Sequence, residues 1–270
     1  MCLSTWLSAC LLAILIAPTY SHSAQQTANT SHRDHACATR ASTGAPVPSE
    51  RVRVEGVTDG DTVILDDRRK VRIIGINAAE LSKKSERALK ADAIAARDLI
   101  AELVAEADYL TLVPGDEQQD RYGRVLAHLL LPNGRSLATE LLARGLAAAT
   151  AVAPNTRCAE HNHRIESAAR GQGKGLWKHQ DNPWFAHNIS TNSIQGFHIL
   201  NTHIESITQK RNGWQIELAN KVRVYAKPKL INEPDANQWI GRPVEVRGWF
   251  GRRDGHVSVT LHHPSNLTLL

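Results

Sequence analysis

Residues 52–76, VRVEGVTDGDTVILDDRRKVRIIGI, alternate apolar and polar side chains in three runs: Val52, Val54 and Val57, then Val63 and Leu65, then Val71 to Ile76. A period of two puts successive side chains on opposite faces of a strand. The interruptions, Asp59-Gly60-Asp61 and Asp66 to Arg69, carry turn chemistry. Three strands of a meander are therefore predicted.

Working outward, Ser82 can cap a long helix in which Ala88, Ala95, Ala96, Leu99, Ile100 and Leu103 recur at helical spacing. Strands are expected at about 109–113 and 124–131, the second ended by the turn Pro132-Asn133-Gly134. Ser136 then caps a short helix through Leu137, Leu141 and Leu142 that Gly145 ends. A third helix runs from about Cys158 to Ala169 before a glycine-rich exit at 171–175. Residues 181–195, with Asn and Pro near their start, read as a linker. Beyond it Phe197 to Ile207, Trp214 to Leu218, Val222 to Ala226, Val244 to Val246 and Val257 to Leu261 alternate, with Asn212-Gly213 and Asp254-Gly255 as hairpin signals. Five short strands in residues 196–270 predict a second small all-β domain, an OB-like barrel. The fold class is α+β, mainly β.

A chain of 270 residues with 42% apolar content can bury more than one core, and two domains are expected. The balance of 32 Lys+Arg against 27 Asp+Glu, with a pI of about 9.1, favours a polyanionic partner, although a charge of +5 is common among soluble proteins. No Lys, Arg, Asp or Glu occurs before Arg33, and the apolar run Trp6 to Ile16 is ended by Pro18 ahead of Ser21, Ser23 and Ala24. Residues 1–24 have the outline of a secretory signal peptide, atypical in its uncharged start, and the run is shorter than the roughly 20 residues a bilayer span needs. No stable membrane anchor is expected; the lipoprotein-like Leu7-Ser8-Ala9-Cys10 has its apolar stretch on the wrong side of the cysteine. A secreted or periplasmic location follows. Residues 25–50, polar and without periodicity, read as an extended leader.

With Cys2 and Cys10 removed in the signal, Cys37 and Cys158 remain. An even pair in an exported chain suggests a disulfide, two free thiols being the alternative. Such a bridge would stabilise by about 4 kcal/mol in the chain-entropy model. No C-x-x-C occurs, and His161 and His163 near Cys158 lack the spacing of a zinc site.

The chemistry lies in Asp59-Gly60-Asp61-Thr62, in Arg72 to Glu80 and in Asp120-Arg121-Tyr122-Gly123-Arg124. An acidic turn can hold a hard cation, a carboxylate can handle a water proton, and guanidinium forks can neutralise a phosphate. These segments, together with Gly145-Leu146-Ala147 and Gly175-Leu176-Trp177, resemble the staphylococcal nuclease (thermonuclease) family over residues 51–180.

The resemblance implies an OB-type five-stranded barrel with three helices and a phosphodiesterase that uses a divalent cation, calcium foremost. In its terms Asp61, Asn77 and the carbonyl of Ala78 are the metal positions. Arg72, Glu80 and Arg124 are the catalytic ones. Arg121 and Tyr122 grip a neighbouring phosphate, and the 5′ oxygen departs to leave a 3′-phosphate. Two positions depart from the family pattern. Asn77 stands where the family has a second carboxylate, and Ala78 where it has threonine, which predicts weaker metal affinity or another divalent ion. Residues 147–154, AAATAVAP, lack the tyrosines the family offers to the nucleotide, a loss of about 1–3 kcal/mol per stacked base.

In the C-terminal module Trp214, Tyr225, Trp249 and Phe250 interleave with Lys221, Arg223, Lys227, Lys229, Arg247, Arg252 and Arg253, as in single-strand binders. Core aromatics beside a solvated basic face are an equal reading. The expected function is an exported nuclease acting on DNA and RNA with low base selectivity. Its rivals are a nucleic-acid-binding protein that has lost efficient metal chemistry, and a cell-surface interaction protein using residues 196–270.

Overall fold

Alternation becomes strand in the computed structural model, which describes residues 30, 32–40, 44–81, 87–178, 184–186, 194–231 and 237–270. A helix, α1, covers residues 32–39. There follow β1 (Glu50–Val52), β2 (Val54–Asp59), β3 (Thr62–Leu65), β4 (Lys70–Ile73), β5 (Ile76–Ala78) and helix α2 (Arg87–Ala105). Next come β6 (Leu110–Gln119), β7 (Val125–Leu130), α3 (Leu137–Ala143), β8 (Ala147–Ala149) and α4 (Ala159–Gly171).

β1 and β2 are one strand interrupted only at Arg53, its first half paired with β6 and its second with β3. The sheet order β1-β6-β7-β4-β3-β2 therefore closes on itself, with β4 and β7 parallel and the other pairs antiparallel. Five strands connected in this way make an OB-type barrel. Val63, Leu65, Val71, Ile73, Leu110, Leu112, Ala127 and Leu129 form its core together with Ile100 of α2 and Leu137, Leu141 and Leu142 of α3. Each Leu or Ile so buried contributes about 1.5–3 kcal/mol.

Along α2, Ala96 and Ile100 are buried and Leu99 and Leu103 half-buried, as the spacing predicts. Ala95 is instead exposed and Ala93 buried, because 93, 96 and 100 lie on one face at steps of three and four. Ser82, the expected cap, lies outside the described residues. Ser136 does cap α3: its Oγ accepts from the Ala138 amide at 3.2 Å.

Residues 25–50, expected as an extended leader, contain α1. The helix is held by partners more than a hundred residues away. Buried Asp34 accepts the Ser136 amide at 2.9 Å and the Thr139 hydroxyl at 2.7 Å, and it touches His161 Nε2. A carboxylate there answers the unpaired amides at the start of α3. Ala38 packs with Val113, Leu130 and Cys158, and Cys37 is disulfide-bonded to Cys158. The expected signal segment falls outside the described residues. Among those described, no helix is long and apolar enough to cross a membrane.

The C-terminal residues form β9 (Phe185–Ala186), β10 (Gly196–Lys210), β11 (Gly213–Leu218), β12 (Val222–Ala226), β13 (Pro243–Arg253), β14 (His256–Leu261) and β15 (Leu267–Leu269). Here β10, β11, β12, β14 and β13 follow one another, β12 and β14 run parallel, and β13 pairs back onto β10. The connectivity of the first barrel is thus repeated. Leu200, Ile216, Leu218, Val222, Val224, Val244, Val246, Phe250, Val257 and Val259 fill the second. Within the expected linker, Trp184 is buried and Phe185–Ala186 pair with β10.

The two barrels meet over α4. Arg247 of β13 reaches Glu166 of α4 at 2.7 Å, their side chains 5% and 3% exposed. Arg247 also contacts Glu245, which Arg170 of α4 approaches in turn. Burial pushes the Glu166 carboxyl above its ordinary range against the pull of Arg247. At Glu245 burial works the same way, but Arg247 and Arg170 together hold the carboxyl below its ordinary range. An apolar seam of Ala79, Ala93, Ala148, Leu176, Trp184, Phe197 and Ile199 continues the contact.

Two expectations follow. Replacing Cys158 by Ser should lower unfolding free energy by about 2–5 kcal/mol. Denaturant titration with and without reductant checks this, since reductant should weaken the parent protein and leave the variant unchanged.

The second concerns acid. Burial, helped by Arg157, pushes the buried His128 ring down to about 3; burial, then Arg247, does the same to His163. Both rings are neutral in the fold, while in the unfolded chain they take protons below about 6.5. Between about 6.5 and 3 the unfolded state binds more protons, so stability is lost as pH falls, at about 1.4 kcal/mol per pH unit per ring. Urea midpoints across that range should show a shallower slope for His128→Leu than for the parent, and equal slopes would contradict the assignment.

Candidate active site

The acidic turn between β2 and β3 holds its shape through its own side chains and neighbours. Asp59 Oδ1 accepts the Asp61 amide at 3.2 Å, and the Thr62 hydroxyl donates to Asp61 Oδ1 at 3.1 Å. A Cβ on Gly60 would sit 2.5 Å from the Ala96 Cβ and 2.8 Å from the Ala78 Cβ. Only glycine lets the turn press against α2 and β5 this closely.

Asp61 is buried and directed inward. Its Oδ2 lies 3.0 Å from Arg72 Nη2 on β4 and accepts the Ala78 amide of β5 at 2.9 Å. The same Nη2 is 3.3 Å from Asn77 Oδ1, and Arg72 Nη1 donates to the Ile73 carbonyl at 2.6 Å. The carboxylate of Asp61 and the amide oxygen of Asn77 thus converge on one positive group. This follows from the strands: β3 and β4 pair Thr62 with Arg72, and the short β5 returns Asn77 and Ala78 to the same end.

Arg124 enters from the turn between β6 and β7. Gly123 there has φ +77°, and Asp120 organises the loop by accepting the Tyr122 amide at 2.9 Å and the Arg124 amide at 3.0 Å. Asp120 Oδ2 then takes Arg124 Nε at 2.7 Å. Burial opposes the charge on Asp120, but its bonds from Arg124 and Tyr122 hold the carboxyl below its ordinary range. With Nε occupied by Asp120, the guanidinium is fixed in direction. Arg121 donates to the Tyr122 hydroxyl at 2.7 Å, and both arginines lie over the Tyr122 ring, itself 69% exposed.

Arg72, Arg121, Tyr122 and Arg124 line one cavity of about 400 Å³. Its other walls include Ile74, Thr150, Val152, Asn155 and, from the second barrel, Trp249. Asn155 mimics a strand partner, accepting the Glu117 amide at 3.0 Å and donating to its carbonyl at 2.9 Å, which pins the end of β6 beside the cavity. Glu80 lies exposed two residues beyond β5 and is not among the cavity walls.

The donor set suits a hard cation. Burial, and next the charge of Asp61, push the Asp59 carboxyl up to about 6. Two carboxylates crowded in one turn are relieved by a divalent ion, and the Asn77 oxygen adds a neutral ligand of the kind calcium accepts. Asp59 stands in the same turn as Asp61, and Asn77 stands across from Asp61 at Arg72, the Asp59 Oδ1–Asp61 amide bond being the turn-forming contact the sequence predicts. Ala78 meets Asp61 through its amide and not through its carbonyl. Among the described residues no group of three or more His, Cys, Asp or Glu is placed to hold a metal ion, at this turn or elsewhere.

Of the C-terminal aromatics, Trp214 and Phe250 are core, Tyr225 is half-buried beneath Arg253, and Trp249 is exposed at the cavity. The place of Trp249 depends on how the barrels dock, which no local pattern encodes.

Comparison with known proteins agrees with the geometry. The family model for staphylococcal nuclease homologues matches residues 70–179. The chain is 25% identical over 138 residues to Endonuclease YhcR of Bacillus subtilis (strain 168), a match that spans 47% of this chain and only 11% of that protein. It is 32% identical over 135 residues to a protein of Escherichia coli described as an uncharacterized endonuclease, spanning 49% of this chain and 81% of that one.

Proposed function

On the premise that this chain belongs to the staphylococcal nuclease homologue family, we propose that it is an exported nuclease that hydrolyses phosphodiester bonds of DNA and RNA with low base selectivity. The observation that carries this reading is the shared cavity of Arg72 and Arg124, each guanidinium oriented from behind by a carboxylate, Asp61 and Asp120.

Two permanently charged forks facing one hollow suit the oxygens of a phosphorus passing through five-coordination. Orientation by Asp61 and Asp120 means neither arginine must be reorganised as charge develops. Glu80, exposed after β5 and outside the cavity walls, is assigned the proton of the attacking water on the family resemblance alone. Arg121 and Tyr122 hold a neighbouring phosphate at the cavity mouth. Asp59, Asp61 and Asn77 would hold a divalent cation, calcium first, which supplies charge neutralisation at the phosphate. The disulfide between Cys37 and Cys158 supports an oxidising, secreted or periplasmic setting.

One observation favours the rival reading, a nucleic-acid-binding protein with little or no cleavage. Arg72 already neutralises Asp61, and position 77 supplies no second charge. The two separate in a digest of single- and double-stranded DNA and of RNA, in calcium, magnesium, manganese or chelator. Cleavage in a metal, reduced about 100- to 1,000-fold by Arg124→Ala, is the expected result. Asn77→Asp should lower the calcium concentration needed for half-maximal rate. Binding without cleavage in every metal would transfer the assignment to the rival.

A further inference from the structure

Three candidates stand outside the proposed chemistry: the Asp34–His161 contact, the hollow beside Tyr225 on the second barrel, and Trp249. The first is a satisfied structural bond, and the second lies away from the arginines. Trp249 joins the two barrels at the cavity, and from it we infer that the second barrel provides a nucleobase platform which holds a single strand of nucleic acid across both barrels.

The placement is set by strand geometry. On β13, residues 245, 247 and 249 share one face, because side chains alternate. Glu245 and Arg247 are buried against α4 of the first barrel, so the next residue on that face emerges about 7 Å further along, at the rim of the contact. That residue is Trp249, 46% exposed, while its neighbour Phe250 points into the barrel core. Gly248 has φ +152° and would bring a Cβ within 2.9 Å of Val259, so a larger residue would displace this part of the strand. An edge of Trp249 rests on Phe197, with ring centroids 5.2 Å apart at 64°, and Phe197 rests on Trp184 in the same manner. The indole is thereby braced and still accessible.

Two hollows meet at this ring. One is the arginine cavity. The other, about 270 Å³, lies on the second barrel and is lined by Arg252, Ser258, Thr260 and His262. Trp249 and Val152 wall both. A phosphate held by Arg72 and Arg124 leaves its flanking nucleotide beside the indole, and the following stretch of strand beside hydroxyls and a cation. A cationic track interrupted by an aromatic surface is how single strands are held without base selectivity. Duplex bases are stacked on one another and cannot lie on the ring, so the contact selects unpaired nucleotides. Residues 147–154 have no aromatic side chain, so the ring across the interface supplies what that segment lacks.

The inference rests on the nuclease reading for the place of the scissile phosphate, but its test does not require cleavage. Fluorescence anisotropy of the full chain in chelator, with a labelled single-stranded deoxyoligonucleotide, should show Trp249→Ala raising Kd about 10-fold, with Trp249→Phe recovering most of the loss. Affinity for the same sequence as duplex should not change. Against an oligonucleotide abasic at every position, parent and Trp249→Ala should bind alike. Unchanged single-strand affinity in Trp249→Ala, or an equal loss on the abasic strand, overturns the platform. If the parent cleaves and Trp249→Ala alters neither Kd nor KM, the platform fails while the nuclease reading stands. If the parent binds through Trp249 and no metal supports cleavage, the reverse holds.

Discussion

The docking of the two barrels depends on one buried guanidinium. Arg247 is withdrawn from water and meets Glu166, Glu245 and the Ala149 carbonyl, while Glu166 also accepts the Ala149 amide. A buried ion pair of this kind is weak evidence for stability, since desolvating both charges costs about as much as their attraction returns. Its demand on geometry is strict, because any rotation of the second barrel would leave a charge unpaired in a dry contact. The pair ties β13 to α4 and to the end of β8. Strand β8 pairs with β5, where Ala148 stands opposite Asn77. The arginine that fixes the interface is therefore a few residues from the oxygens beside Arg72.

The candidate site shows the same economy on a smaller scale. Asp61 and Asp120 do not face the cavity as free acids; each spends its charge on directing an arginine. The cavity wall consequently presents Arg72, Arg121 and Arg124 beside two carboxylates, Glu117 and the Asp120 that pairs with Arg124. Crowding between Asp59 and Asp61 then leaves the turn short of positive charge, and Arg72 supplies part of it.

Most of both barrels was legible, because their strands alternate and their turns carry glycine with Asp or Asn. Strand β13 is the instructive exception. Only Val244 to Val246 reads as strand in the sequence, whereas the element runs from Pro243 to Arg253. Its outward residues Glu245 and Arg247 look solvated, and they are buried only because another barrel covers them. Helix α1 escaped notice for a related reason: Asp34, Cys37 and Ala38 find their partners beyond residue 110. At the site, the family resemblance pointed to Asp61, Arg72, Asn77 and Arg124, and the structure gathers the first three on one point. The position of Trp249 comes from proximity across the two barrels, which local pattern does not carry.

The Cys37–Cys158 bond joins residues 121 apart in sequence, a span that contains every strand from β1 to β8. A protease that nicks an exposed tip inside that span, such as the loop around Tyr122, cannot release a fragment, because both pieces stay covalently tethered. Exposed to a protease, the molecule would survive such a cut as a two-chain species that comes apart only when its sulfur bridge is reduced.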